Sequence, residues 1–339
     1  MKERVVLGLS GGVDSAVAAE LLRRQGYELF PLWLDVGTGA GEEDARAVAD
    51  ALGLPFARAD ISAELEAHVC RPFAQAYLSG HTPLPCAVCN PTVKFPALLR
   101  YADALGAAWV ATGHYARVRQ GENGRTWLMR GEHRNDQSYL LSRLPQEILR
   151  RVIFPLGDYE KAQVRAMAGA AALPPADKPD SMDICFIPDG DYPGWLSRRG
   201  PVPPEGDFLS KDGKVLGRHK GYHCYTLGQR RGLGVSGPHR YFVSAIDPAA
   251  NTVTLSDGSD LQITAVSCTG LNWISIPAPE GSLSCTVRLR HSKAETPAHV
   301  FPHGDGALIS LDRPARSSAP GQLAVFYDGD VVLGSGWIV

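Results

Sequence analysis

The sequence predicts an α/β protein: a doubly wound parallel sheet, then a small irregular domain, then an all-β unit. Three observations predict it. From Met1 to about Phe186, runs rich in Val, Leu and Ile alternate with amphipathic stretches, the pattern of parallel strands joined by crossover helices. Near the start, one strand passes into a helix through a Gly-Gly turn suited to anions. From about Tyr241 onward, short alternating runs recur between turn signals, as in a barrel or sandwich. The expected domains are residues 1–190, 191–262 and 263–339.

Taken in order, the first element carries the most chemistry. Val5 to Val17 reads VVLGLSGGVDSAV: an apolar run for a buried parallel strand, a glycine turn, and a helix (AVAAELLRRQG) that stops at Gly26. Ser10-Gly11-Gly12 lets backbone N–H groups crowd toward an anion, because glycine has no Cβ in the way. A Walker loop would end in Gly-Lys-Ser/Thr, whereas Val13-Asp14-Ser15 stands here. An ordinary kinase or GTPase loop is thereby excluded, and Asp14 is expected to act through a metal ion, Mg2+, on phosphate. The runs ELFPLWLDV, PFARADI and AAWVATGH follow as strands, and GEEDARAVADALG and FPALLRYADALG as helices with glycine stops. Ligands of such a sheet sit at the carboxyl ends of its strands. Pro188 to about Gly237 is dense in Pro, Gly and charge and lacks long periodic segments. NTVTLS, LSCTVRLR, HVFPH, GALISL, QLAVFY and VVLGSGWIV then supply the all-β unit.

Composition bounds the function. The 339 residues are 44% hydrophobic without a low-complexity tract, so a globular protein with ample core is expected. No apolar run is long enough to span a bilayer, and MKERVVLG enters a strand at once, which predicts a cytoplasmic protein with no membrane partner. Seven cysteines, an odd count at unremarkable density, argue against a secreted disulfide framework and leave thiols free to react or bind metal. The formal charge of −2 is segregated: Arg198 to Arg240 holds nine Lys and Arg against three Asp and Glu. That segment is either a phosphate-backbone surface or a solvated face.

Ser10-Gly11-Gly12-Val13-Asp14-Ser15 resembles the PP-loop of ATP pyrophosphatases, in which the loop grips the pyrophosphate half of ATP. Further stretches narrow the resemblance: TPLPCAVCNPTVKF (82–95), ATGHYARV (111–118), NDQSYLLSRL (135–144), KPDSMDICFIPDGDY (178–192), YTLGQRRGLGV (225–235) and APGQLAVFYDGD (319–330). Together, and in this order over essentially the whole length, they are similar to the tRNA-specific 2-thiouridylases. The resemblance implies ATP-dependent replacement of O2 by sulfur on the wobble uridine of tRNA. It also implies a PP-loop domain, a small central domain and a β-barrel. Gly8, Leu9, Ser10, Gly11, Gly12, Val13, Asp14 and Ser15, with Leu34 on the adenine side and Gly113, would contact ATP. Leu84, Pro85 and Cys86 would line the target base, flipped from its stack. His114, Asn135, Asp136, Gln137, Arg290, His291 and Gln322 would contact tRNA. Cys185 would carry the sulfur as a persulfide, and Cys89 would discharge it and close a disulfide with Cys185. The sulfur donor would be a cysteine desulfurase, a relay protein or free sulfide.

The residues also make chemical sense alone. Uracil O2 is a poor leaving group that adenylation turns into a good one, and sulfur must then arrive through thiol chemistry. Without the resemblance, Cys185 beside Ile184 and Phe186 reads as a small buried hydrophobe, and His114 as a satisfied core histidine. Cys70, Cys224, Cys268 and Cys285 read as packing cysteines. The chain departs from the family pattern in four places: a short segment after Asp35, Asn135 for an expected Lys, Met182 for a Gln beside Asp183, and Cys86 where several members have Asp. The last makes Cys86-Ala87-Val88-Cys89 a C-x-x-C, so that Cys86, Cys89 and Cys185 could hold a [4Fe–4S] cluster with one iron open. A persulfide and disulfide route, or structural zinc, uses the same residues. A PP-loop amide-forming ligase and a non-enzymatic ATP-binding sensor are the rival functions.

Overall fold

The computed structural model describes residues 2–122, 124–132, 134–174, 184–237, 239–291 and 294–339. The chain begins with β1 (Arg4–Gly8), α1 (Val13–Arg24), β2 (Glu28–Asp35), α2 (Glu42–Ala51) and β3 (Ala57–Asp60). A long helical stretch follows: α3 (Ser62–Leu65), a π-helical turn over Glu66–Cys70, and α4 (Arg71–Leu78). A second has the same build, with α5 (Pro85–Cys89), a π-helical turn over Asn90–Lys94, and α6 (Phe95–Leu105). Then come β4 (Trp109–Thr112), the hairpin β5 (Ala116–Gln120) and β6 (Thr126–Arg130), α7 (Ser138–Leu141), α8 (Gln146–Leu149), β7 (Val152–Ile153), α9 (Lys161–Ala170) and α10 (Tyr192–Ser197).

The first sheet runs β3-β2-β1-β4-β7 and its pairs are parallel, the doubly wound order expected from the alternating sequence. The order reverses between β1 and β4, where a ligand crevice opens at the strand ends. One face of the sheet packs against α1, α2 and α9 through Ala16, Val48 and Val164. The other packs against α6 through Phe95 and Leu98 and, in the same apolar cluster, against barrel residues Leu323, Val325 and Tyr327. The parallel sheet and the barrel therefore share one core.

The second sheet, β10-β11-β8-β9, contains β8 (Gly206–Ser210), β9 (Val215–His219), β10 (Phe242–Asp247) and β11 (Thr252–Ser256) around Phe208, Val243 and Val253. The run NTVTLS therefore forms β11 of this second sheet, although its alternation is like that of the all-β unit. Alternation reports a half-buried strand but not which sheet it joins. The barrel is β12 (Gln262–Trp273), β13 (Leu283–Arg288), β14 (Thr296–His303), β15 (Gly306–Arg316), β16 (Leu323–Asp328) and β17 (Val331–Ile338), closed by pairing of β12 with β17. The hairpin β5–β6 leaves the parallel sheet and extends this one, Met129 lying opposite Val331.

Candidate active site

The glycine turn forms the cradle its sequence announces. Gly11 takes φ +79°, and a Cβ there would come within 2.6 Å of the Asp44 Cβ, so only glycine lets helix α2 approach the loop. Below, Gly113 passes so close that its Cβ would meet the Asp14 carbonyl carbon at 2.8 Å. Helix α1 starts at Val13 with no side-chain cap, leaving first-turn N–H groups for an anion. The Ser15 hydroxyl accepts from the Ser10 amide (3.2 Å) and donates to the Gly12 carbonyl (3.0 Å), which fixes the turn. The residues thus fit a bound polyphosphate.

Asp14 is not an isolated carboxylate. The Tyr115 hydroxyl donates to its Oδ1 (2.7 Å), and the Lys161 ammonium donates to Oδ1 and Oδ2 (2.7 and 2.8 Å). Lys161 opens α9, 147 residues along the chain from Asp14. A metal ion fits at Asp14 once one of these donors yields a lone pair. Sequence reasoning missed Lys161; only the packing of α9 against α1 brings it to the loop.

The ATGHYARV segment forms the floor of the site. His114 lies between the rings of Phe95 and Phe154, at 6.1 and 6.0 Å, with its Nδ1 2.7 Å from the Thr112 hydroxyl. Burial and then the Lys94 charge hold its imidazole well below the usual histidine range, so it is neutral near pH 7. Lys94 ends the π-helical turn that follows Cys89, a geometry common at functional sites. Burial pushes the Cys89 thiol up to about 11, and desolvation also raises that of Cys185; in both cases the Lys94 ammonium acts in the opposite direction. Negative charge on Cys185 or Cys86 opposes ionisation of Cys89, so the three thiols are neighbours. Cys89 is buried, Cys86 and Cys185 are exposed, and all seven cysteines are free thiols. Cys70, expected only to pack, lies in the same apolar cluster as Cys89 and Phe186. Among the described residues, no three His, Cys, Asp or Glu side chains converge as a metal site. Met182 and Asp183 lie outside the described residues.

The segment leading to α5 is clamped by both other domains. The Gln322 amide donates to the Thr82 carbonyl (2.9 Å), and the Thr82 amide donates to the Pro320 carbonyl (2.9 Å). From the central domain, the Tyr222 hydroxyl donates to the Leu78 carbonyl (2.7 Å) and Thr226 meets Thr82 (3.3 Å). Leu84, Pro85 and Cys86 come next, with Cys86 open to solvent. Other nominated side chains are already engaged. Asp136 is ion-paired with Arg288, Gln137 accepts from the Tyr115 amide (2.9 Å), and Arg290 donates to the Ser317 carbonyl. Asn135 is half-buried and His291 exposed, its ring 5.8 Å from that of Tyr139. In the basic segment, Arg198, Arg199, Lys211 and Arg218 pair with carboxylates. Arg230 and Arg240, with His239 and the intervening glycines, instead line a concavity of about 530 Å3.

A nucleotide cradle on a parallel sheet, with two β-domains clamped to it beside a group of thiols, defines a nucleotide-using α/β enzyme of the HUP class. The family model for the tRNA methyl transferase HUP domain matches residues 3–189, that for the tRNA methyl transferase PRC-barrel domain residues 194–257, and that for the aminomethyltransferase beta-barrel domain residues 264–338. The tRNA-specific 2-thiouridylase MnmA of Syntrophotalea carbinolica is 44% identical, covering 100% of both chains. Those of Chloroflexus aurantiacus and a Synechococcus species are each 43% identical, over 98% of both chains and over 99% and 97% respectively. The chain belongs to the tRNA-specific 2-thiouridylase family. No helix among the described residues is long and apolar enough to cross a membrane.

Proposed function

We infer that the enzyme replaces the 2-oxygen of the wobble uridine of tRNA by sulfur at the expense of ATP, in the cytoplasm. The observation that carries this is the stacking of His114, next to the Gly113 that meets Asp14 in the nucleotide cradle, on Phe95 of the helical stretch that carries Cys86 and Cys89. One base held there would meet the ATP α-phosphate and a sulfur nucleophile in turn. Asp14 would hold Mg2+, which neutralises phosphate charge. Uracil O2 attacks the α-phosphorus, the N3 proton leaves to water, and pyrophosphate departs with the bonding pair.

A persulfide donor, a cysteine desulfurase or relay protein, passes its outer sulfur to Cys185 and leaves as a thiolate. That sulfur attacks C2, the C2–O bond breaks, and AMP leaves. The Cys89 thiolate then attacks Cys185 Sγ, forming the Cys89–Cys185 disulfide and freeing 2-thiouridine; an external thiol resets the pair. Leu84, Pro85 and Cys86 would face the base, with His114, Asn135, Gln137, Arg290, His291 and Gln322 along the tRNA, Asp136 holding their loop on Arg288, and Arg230, Arg231 and Arg240 on its phosphates.

A second reading gives Cys86, Cys89 and Cys185 a [4Fe–4S] cluster that takes sulfide at an open iron. It is favoured by the one-turn spacing of Cys86 and Cys89 on α5, but among the described residues the thiols do not converge as a metal site. Iron and sulfide analysis after anaerobic purification separates the two. Incubation with ATP and unmodified tRNA tests the function itself. Release of AMP and pyrophosphate that depends on tRNA is expected, whereas a ligase would require an amine and a sensor would release neither.

A further inference from the structure

The cysteine in the first turn of α5 has no step in the persulfide route, although it stands beside two that do. Cys86 and Cys89 lie three residues apart on one α-helical turn, which the Asn90 amide closes on the Cys86 carbonyl. On such a turn the two Cα atoms are about 5 Å apart, inside the range of roughly 4.4–6.8 Å that a disulfide spans. Cys86 is open to solvent, whereas Cys89 is only 8% exposed. Cys185 is the other neighbour of the Cys89 thiol, since negative charge on either one opposes its ionisation. The turn is held at both ends: the Pro320 carbonyl and the Gln322 amide fix Thr82 before it, and the Thr92 hydroxyl donates to the Val88 carbonyl (2.7 Å) after it. The buried Cys89 sulfur is thus shielded from an external thiol but within reach of a thiol on its own helix.

We propose that Cys86 is a third catalytic cysteine: it resolves the Cys89–Cys185 disulfide left by each turnover and carries the oxidation to the surface. This deepens the persulfide reading above and rests on it. The Cys86 thiol gives its proton to water, and the thiolate attacks Cys89 Sγ. The Cys89–Cys185 bond breaks, its electron pair stays on Cys185, and the Cys185 thiolate is free to take the next outer sulfur. A Cys86–Cys89 disulfide remains. A dithiol reductant then attacks the exposed Cys86 Sγ and closes its own disulfide, its two electrons and two protons restoring the Cys86 and Cys89 thiols. Because the first exchange runs within one helical turn, it outpaces attack on the Cys89–Cys185 bond by a thiol in solution.

The test uses the full-length protein, charged by a cysteine persulfide donor that is then removed. It is mixed with Mg·ATP and excess unmodified tRNA without reductant, quenched by alkylation after one turnover, and mapped by peptide mass spectrometry. The wild type is predicted to show a Cys86–Cys89 disulfide and an alkylated Cys185. Cys86→Ser should stop one step earlier, with a Cys89–Cys185 disulfide and an unchanged single-turnover yield of 2-thiouridine. With a dithiol reductant in excess, the steady-state rate of this variant should be at least about tenfold below that of the wild type. A Cys89–Cys185 disulfide with alkylated Cys86 in the wild type, or a wild-type steady-state rate in Cys86→Ser, would overturn the proposal; the wild-type map decides even where the variant fails to fold. Wild-type protein that forms 2-thiouridine with Cys86, Cys89 and Cys185 all still open to alkylation would instead overturn the persulfide reading.

Discussion

The Asp136 carboxylate meets the Arg288 guanidinium at 2.6 Å, with side chains only 7% and 5% exposed. Asp136 Oδ1 also accepts from the Gly131 and Ser138 amides (3.1 and 2.9 Å), while Arg288 reaches the Tyr327 hydroxyl (3.3 Å). The pair joins the loop before α7 to the barrel, beside Tyr327 of the core the two domains share. Stranding a buried charge costs about 3–5 kcal/mol, and the Glu295 carboxylate, 3.4 Å from the Arg288 Nε, places the loss of Asp136 at the lower end of that range. Asp136→Ala should lose that much stability in urea, and Asp136→Asn less, because its oxygen can keep the two backbone bonds. A loss below about 1 kcal/mol for Asp136→Ala, the scale of an exposed pair, would show that the pair is not structural.

Gln322 is expected to act through Thr82. Gln322→Ala removes the bond that holds the strand of chain leading to Leu84, Pro85 and Cys86, at a stability cost of about 1 kcal/mol. Hydrogen exchange over residues 79–90 should quicken and kcat for thiolation fall, while ATP affinity stays unchanged. Unaltered exchange in that segment would return Gln322 to a direct tRNA contact alone.

Acid should loosen the central domain. His219 and His223 are 1% and 3% exposed, and burial lowers both below the ordinary histidine value. The Gly221 amide donates to His219 Nδ1 (3.0 Å), and its Nε2 faces the Asn251 carbonyl (3.2 Å), which defines the neutral Nε2–H form. The unfolded chain then binds more protons than the folded one below about pH 6.5, so stability is present above that pH and is lost as pH falls through it. Thermal melts from neutral to mildly acidic pH should show this loss, and His223→Gln should flatten it. A pH-independent melting temperature over that range would contradict it.

Cys185→Ser should separate the two halves of the reaction. The serine cannot carry a persulfide, so thiolated tRNA should vanish, while tRNA affinity, which comes mainly from phosphate contacts, stays near normal. Filter binding and nucleoside analysis on one preparation check both. Thiolated tRNA from this variant would move the sulfur-carrying role to another cysteine.

The parts legible in the sequence are those fixed by local chemistry. A Val-rich strand, a Gly-Gly turn and an amphipathic helix can hardly be anything but a cradle, and α1, α2 and α6 follow their periodicity. The rest depends on contacts distant in sequence. Lys161 has no local signature, Asp136 reads as a surface polar residue until Arg288, 152 positions away, is placed beside it, and β10 and β11 share their alternation with the barrel strands. The long strand β12 lacks a clear sequence signature, because Thr, Ser, Gly and Asn interrupt its pattern.

The most direct test supplies the purified protein with unmodified tRNA, Mg·ATP, a cysteine persulfide donor and a thiol reductant, and quantifies the wobble nucleoside by mass spectrometry together with AMP. The account predicts one 2-thiouridine at the wobble position for each AMP formed, with neither product when ATP is omitted. AMP formation with the wobble uridine left unmodified, or sulfur found at another nucleoside, would contradict it.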